Sequence, residues 1–542
     1  MFRKIEIARQ KVKAPPQRVC AGANRLILKP LLVKLISFHG SEPTYLERTS
    51  IVRPLNILFV SSEVEPFAKT GGLADVSGAL PQSIKETEHE IRVMMPKYGS
   101  INERKSKLHE MIRLKDIEIP MGPKPRTASV KSSFIVNNQV KVQVYFLDNP
   151  HLFGRSGLYV HPDTKKDYAD NDERFIFFGR GVLEILKKLG WQPDIIHCND
   201  WPTALIPAYL KTLYKDDPFY RDTRTVFTIH NMAYQGIFPK ASFAKTLLPP
   251  ELMSIEGVEA YGHLNFLKAG LVFADAITTV SERYAYEIQS STEYGSGLEG
   301  VAKKRKADLT GILNGADYSV WDPAVDEHIA VRYDIRAIDL KAENKKALLA
   351  KMGLPFDEKI PVIGIISRLA DQKGFDLIGE ALDQLMKLDL QLVVLGTGEK
   401  KYHDMFERAQ KKYPTRVAAA LTFNNELAHL IEAGSDMFLM PSRYEPCGLN
   451  QIYSLRYGTV PVVRATGGLD DTIDDVQGGN GTGFKFRLYS AADMMKAIHR
   501  AVAAFKDQPT WRKLMKNGMT KDFSWQSSAK KYLQLYRSLA HK

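Results

Sequence analysis

The stretch Lys69-Thr70-Gly71-Gly72-Leu73-Ala74-Asp75-Val76 comes a few residues after the apolar run Leu55-Asn56-Ile57-Leu58-Phe59-Val60. The run reads as a parallel strand, and a glycine-rich turn at the carboxyl end of such a strand is where α/β folds bind ligands. Gly71 and Gly72 let backbone N–H groups approach an anion. A helix starting near Leu73 points its positive end at the same place, and Lys69 adds a mobile charge. The chemistry is phosphate or sugar-phosphate binding, with Asp75 close by. Paired glycines ahead of a helix also make ordinary tight turns, and the P-loop spacing with a terminal Lys-Ser/Thr is absent.

The second half repeats the arrangement with more cations. In Ser367-Arg368-Leu369-Ala370-Asp371-Gln372-Lys373-Gly374, Arg368 ends a strand and Lys373 opens the following helix, with Gln372 beside it. The guanidinium grips a diphosphate by a fork of hydrogen bonds, the ammonium as a point charge. Arg443-Tyr444-Glu445-Pro446-Cys447-Gly448-Leu449-Asn450 places a carboxylate, Glu445, just ahead of a glycine and a helix start. Glu445 there either accepts hydrogen bonds from sugar hydroxyls or caps the helix, while first-turn N–H groups around Cys447, Gly448 and Leu449 face an anion. Two further turns, Gly396-Thr397-Gly398-Glu399 and Thr466-Gly467-Gly468-Leu469, carry the same small, close-approach residues.

In the first half, His197-Cys198-Asn199-Asp200-Trp201 and His230-Asn231-Met232-Ala233-Tyr234 each follow a strand-like run. A histidine there either hydrogen-bonds a hydroxyl or is a satisfied core residue. No His-Glu-x-x-His or cysteine spacing suggests zinc. Asp170-Asn171-Asp172 has an Asp-x-Asp form compatible with a divalent cation, but it precedes the helical pattern 174–189, where capping is the simpler role. No metal and no cofactor are expected.

The elements positioning these turns alternate. Strand-like runs at 91–95, 142–147, 195–197, 225–230 and 276–280 interleave with helix-length amphipathic stretches, and a second series appears at 362–366, 392–395, 416–419, 437–440 and 460–463. That pattern predicts an α/β fold with two Rossmann-like domains facing across a deep cleft. The 542 residues are 44% hydrophobic and 25% charged, and no apolar run is long enough to span a membrane. Cys20, Cys198 and Cys447 are too few and too scattered for a disulfide framework. Of the net charge of +13, residues 1–53 supply +8, with 11 Lys+Arg against 3 Asp+Glu, so the surplus belongs to a leader and does not signal nucleic acid. This N-terminal extension reads as an organelle-targeting segment, a membrane-surface or partner helix, or a disordered extension.

Taken together, the motifs around Lys69–Val76, Tyr168-Ala169-Asp170-Asn171, His230–Gly236, Gly311-Ile312-Leu313-Asn314-Gly315-Ala316-Asp317, Ser367–Gly374, Pro441–Gly448 and Thr466–Leu469 resemble the bacterial glycogen synthase and plant starch synthase family, in order from Leu55 to Phe523-Ser524-Trp525. The resemblance implies a GT-B architecture: residues 54–309 as an acceptor domain, 310–524 as a nucleotide-sugar domain, and 525–542 as a terminal helix returning to the first. It further implies glucose transfer from ADP-glucose to the non-reducing end of an α-1,4-glucan, glycogen or starch, with retention of configuration and no metal. By motif match, Lys69, Arg368 and Lys373 hold the diphosphate and Glu445 the glucosyl group. Asp75 and Asn314 sit in the donor site, and His197 and Asp170 lie near glucose and acceptor. Three departures stand out: His197-Cys198-Asn199-Asp200-Trp201-Pro202 resembles the plant form of its loop, Ala316 replaces an isoleucine, and Glu282 a proline. A UDP-glucose enzyme and a glucan-binding scaffold without catalysis are the competing readings. The expected setting is the bacterial cytoplasm, or a plastid if the leader is a transit peptide.

Because the first core strand starts near Leu55, removing residues 1–50 is expected to leave folding and turnover intact. Circular dichroism and ADP release from the truncated chain check this, and loss of the folded spectrum would show that the leader packs on the domain.

Overall fold

The computed structural model describes residues 53–137 and 139–541. The expected leader therefore lies outside the described residues except for Arg53, whose guanidinium meets Asp194.

Seven parallel strands centre the first sheet: β1 (Asn56–Val60), β2 (Glu90–Pro96), β3 (Lys141–Asp148), β4 (Ile195–Asn199), β5 (Arg224–Ile229), β6 (Ala276–Thr279) and β7 (Leu309–Gly311). They lie in the order β7-β6-β5-β4-β1-β2-β3, and beyond β3 the antiparallel strands Arg126–Val136 and His109–Glu110 extend the sheet. Ile57 pairs with Ile91 on one side and Ile195 on the other, so β1 is central. Its Ile, Leu, Phe and Val side chains are buried, as a strand covered on both faces requires.

The second sheet holds β8 (Val362–Ile366), β9 (Gln391–Leu395), β10 (Val417–Ala420), β11 (Met437–Met440), β12 (Val460–Arg464) and β13 (Phe484–Phe486). All are parallel, in the order β10-β9-β8-β11-β12-β13. Each sheet is thus laid outward from its first strand and then continued on that strand's other side. The reversal falls between β1 and β4 in one sheet and between β8 and β11 in the other. At such a reversal neighbouring loops leave in opposite directions, opening a crevice beyond the carboxyl ends.

The helices that matter to that crevice are α1 (Gly72–Lys85), α2 (Asn171–Leu189), α3 (Glu282–Glu287), α4 (Asn450–Arg456), α5 (Gly467–Thr472) and α6 (Trp525–Ala540). Alpha-6 returns to the first sheet, where Trp525, Tyr532 and Tyr536 join the core built on β1 and β4. The two strand crossings between the halves run side by side: the Ala316 N–H donates to the Phe523 carbonyl at 2.7 Å, and residues 316 and 524 pair as a parallel bridge.

This return explains one departure from the sequence expectation. Beta-4 continues to Asn199, two residues past His197, so His197 lies inside the sheet and is 0% exposed. Its Nδ1 meets the Tyr536 hydroxyl at 2.6 Å and its Nε2 the Thr228 hydroxyl at 2.5 Å. Both ring nitrogens are used by protein, so His197 is a core residue and does not reach the cleft.

Burial pushes the His197 pKa down to about 3, so the folded chain refuses a proton that the unfolded chain accepts near the ordinary value of 6.5. Its contribution to stability is complete above pH 6.5 and is lost as pH falls from there towards 3. The thermal midpoint should therefore drop over that interval, and a His197→Asn chain should show a shallower acid slope, both read by calorimetry across a pH series.

Candidate active site

The loop leaving β1 is anchored by Glu63, a residue passed over at the level of sequence. Its Oε1 accepts from the Thr70 hydroxyl at 2.7 Å and from the Tyr159 hydroxyl at 2.8 Å. Its Oε2 accepts from the backbone N–H groups of Thr70 (2.5 Å) and Gly71 (3.2 Å). Four donors on one buried carboxylate fix the Lys69–Gly72 turn and leave the start of α1 open. The loop leaving β8 supplies Ser367 and Arg368, and that leaving β11 supplies Pro441 to Leu449. These loops enclose a cavity of about 1510 Å³. Lys69, Gly71, Gly72 and Asp75 line it from one half; Arg368, Gln372, Lys373, Glu445, Cys447, Gly448 and Leu449 line it from the other. Gly374, at φ +76°, lets the Lys373 turn lie against β11, since a Cβ there would stand 2.1 Å from the Pro441 carbonyl oxygen.

Two of the three cations rest on carboxylates. Lys69 pairs with Asp75 at 2.6 Å, and Lys373 pairs with Glu445 at 2.6 Å. Glu445 is 6% exposed and also accepts from the Ser442 hydroxyl at 3.0 Å. Arg368 is exposed and carries no ion pair among the described residues. Asn314, on the linker between the halves, is 6% exposed with its amide oxygen unpaired, and it lines the same cavity. Here an orphaned acceptor, a free guanidinium and two displaceable ammonium groups face one space. That arrangement suits a ligand with a diphosphate at one end and hydroxyl donors at the other.

On the wall formed by β4 and β5, Asp200 rather than His197 faces the cavity. Its backbone sits at φ +54°, ψ 178°, a region that non-glycine residues enter only where the surroundings hold them. Its carboxylate accepts from the His230 N–H at 2.8 Å. Burial raises its pKa to about 7. His230 Nε2 lies 2.9 Å from the Asn199 amide oxygen, and desolvation pushes the His230 pKa down to about 3, which keeps the imidazole neutral. His230, Asn231 and Tyr234 line the cavity.

Other expected site residues fall elsewhere. Asp170 lies outside the lining, gripped through both oxygens by Arg155 (2.6 and 2.5 Å), while Asp172 pairs with Lys245 at 2.7 Å. Gly396 and Thr397 stand off the cavity; a Cβ on Gly396 would meet the Ser367 carbonyl oxygen at 1.9 Å, so this glycine serves close loop packing. Thr466, Gly467 and Gly468 also lie off it, because the N-terminus of α5 is already occupied. The Glu287 carboxylate takes the Gly467 N–H at 3.0 Å and the Thr466 hydroxyl at 3.2 Å. Phe423, 84% exposed just past the carboxyl end of β10, was not foreseen; its ring is a flat apolar surface on the same edge of the sheet as Arg368.

Two facing Rossmann-like sheets with a cation-lined crevice at both reversals define a glycosyltransferase of GT-B type. Comparison with known proteins agrees. Residues 56–304 match the family described as starch synthase catalytic domain, and residues 350–519 match glycosyl transferases group 1. A glycogen synthase of Koribacter versatilis is 50% identical over 485 residues, covering 89% of this chain and 98% of its own. One from Moorella thermoacetica is 47% identical over 493 residues, covering 90% and 98%. The catalytic domain of starch synthase IV from Arabidopsis thaliana, solved bound to ADP and acarbose, superposes with a TM-score of 0.80 at 30% identity, covering 90% of this chain and all of its own. The chain belongs to the glycogen synthase and starch synthase family of glycosyltransferases.

Glu63→Gln keeps the shape of the anchor but turns an amide N–H₂ towards donors that need an acceptor. Loss of charge-assisted bonds of this kind, at about 1.5–3 kcal/mol, predicts a tenfold to hundredfold fall in kcat/KM for the nucleotide sugar. Steady-state kinetics beside a thermal scan separate this from unfolding.

Proposed function

We propose that this chain elongates an α-1,4-glucan by transferring glucose from ADP-glucose to the 4-hydroxyl of a non-reducing end. The observation that carries the reading is the meeting of Lys69, Arg368, Lys373 and Glu445 on one cavity between the halves. It is supported by the glycogen synthase relatives and by a starch synthase neighbour solved with ADP.

The reaction breaks the bond between the anomeric carbon and the β-phosphate oxygen. Negative charge grows on the diphosphate while positive charge grows on the sugar ring. Arg368 faces the cavity unpaired among the described residues, and Lys373 and Lys69 join it by leaving their carboxylates as the diphosphate binds, so little further reorganisation is needed as the charge develops. Glu445, which lines the cavity and is held by Lys373 and Ser442, accepts hydrogen bonds from glucose hydroxyls in this reading. Retention belongs to the same proposal. The acceptor oxygen forms its bond on the face the diphosphate leaves, and its hydroxyl proton passes to the departing phosphate oxygen. Asp200, His230 and Asn231 form the wall that the acceptor end would approach. Closure of the halves over the pair would exclude water and favour transfer over hydrolysis.

In this reading the positive charge that neutralises the diphosphate comes from lysine and arginine, and the donor is a substrate rather than a cofactor. The bacterial relatives favour a bacterial cytoplasmic setting. No described helix is long and apolar enough to cross a membrane.

Lys373→Ala should lower kcat about a hundredfold, the effect of losing one preorganised contact worth about 3 kcal/mol. The assay is ADP release from ADP-glucose with glycogen present, run against UDP-glucose as competitor. A wild-type chain that releases no ADP, or a Lys373→Ala chain with undiminished turnover, would end the proposal.

A further inference from the structure

Helix α3 has only six residues, yet it touches the loops on both sides of the cleft. Ser281, its N-cap, accepts from the Tyr284 N–H at 3.2 Å and donates its own hydroxyl to the Pro446 carbonyl at 2.6 Å, immediately beside Glu445. Glu287, its last residue, is 2% exposed and holds the Thr466–Gly467 turn as described above, with Arg283 completing its shell at 3.1 Å. That turn in turn carries the Glu445 loop: the Gly468 N–H donates to the Glu445 carbonyl at 3.1 Å, and a Cβ on Gly467 would stand 2.0 Å from the same oxygen. Between these two positions, at the i+3 spacing that keeps them on one face, the Tyr284 hydroxyl accepts the Met232 N–H at 3.0 Å, within the His230–Tyr234 loop.

We infer that Ser281, Tyr284 and Glu287 are positioning residues that hold the Glu445 loop in register with the His230–Asn231 loop. The proposal deepens the transfer reaction proposed above and rests on it for the identity of the substrates. All three side chains belong to the first half. Two of these side chains, Ser281 and Glu287, reach the second half through buried, oriented hydrogen bonds, and Tyr284 bonds within the first half on the acceptor wall. A rigid segment shared in this way sets the distance between donor and acceptor through contacts additional to the Lys373–Glu445 pair. Without it, the diphosphate still binds while the two reacting ends are misaligned, and water competes better for the glucosyl group.

The experiment compares the wild-type chain with Glu287→Gln and Ser281→Ala, the second a small change in volume that removes the Pro446 bond together with the helix cap. Three quantities are measured: transfer kcat, ADP affinity by calorimetry, and the share of ADP-glucose that is hydrolysed instead of transferred. Backbone hydrogen exchange at residues 230–234 and 445–449 is followed in the free proteins. The expected result is a tenfold or greater fall in kcat, ADP affinity within threefold of wild type, a raised hydrolysis share and faster exchange in both loops. Unchanged kcat in both variants, or a parallel collapse of kcat, ADP affinity and thermal midpoint, would overturn the inference. A wild-type chain inactive on ADP-glucose would instead strike at the proposed reaction, and the exchange measurement would still decide whether α3 couples the two loops.

Discussion

The architecture depends on a constraint of parallel sheets: loops can diverge to make room for a ligand only where the strand order reverses. This chain has two such reversals, and folding points both at the same space. The cost is electrostatic. Lysines and an arginine from separate parts of the chain are brought to one crevice, where without an anion they repel. The protein limits that cost by resting Lys69 on Asp75 and Lys373 on Glu445. Pairs as exposed as Lys69–Asp75 contribute little stability of their own, about 0–1 kcal/mol, so parting them carries no large penalty. The buried Lys373–Glu445 pair differs. Its carboxylate is also held by the Ser442 hydroxyl, so parting the pair does not leave it without a donor.

Much of this was legible from local pattern. Val362–Ile366 and Met437–Met440 are short apolar runs closed by polar turns, and a strand buried on both faces has few other ways to be written. The turns around Arg368, Lys373 and Glu445 follow those strands and the one around Lys69 follows β1, so their location was fixed once the strands were. Arg126–Val136 escaped notice because, with one face towards solvent, it mixes Thr, Ser and Lys among its apolar residues. The expected end of β4 fell two residues short. At about 3.3 Å per residue, that moved His197 roughly 7 Å back from the sheet's edge and handed the cleft to Asp200.

The Thr466–Gly468 turn shows where such reading stops. Its sequence carries the same signal as Gly71–Gly72, two glycines opening a helix, and the backbone does present free N–H groups there. What decides its role is the occupant, and Glu287 comes from 180 residues earlier in the chain. A helix start states that an acceptor is wanted and says nothing about its source. Glu63 poses the converse difficulty. It is an ordinary acidic residue in a loop, and only the fold shows four donors converging on it.

The His197–Tyr536 hydrogen bond spans 339 residues. At roughly 5–20 residues per second of synthesis, the first lobe therefore waits on the order of 20–70 s on the ribosome with a gap in its wall where α6 will seat. During that interval apolar surface on β4 and β5 is open to chaperones or to neighbouring nascent chains. Final burial of this wall comes only after residues 525–540 have been made, so a truncation ahead of α6 would damage the half of the enzyme that was made first.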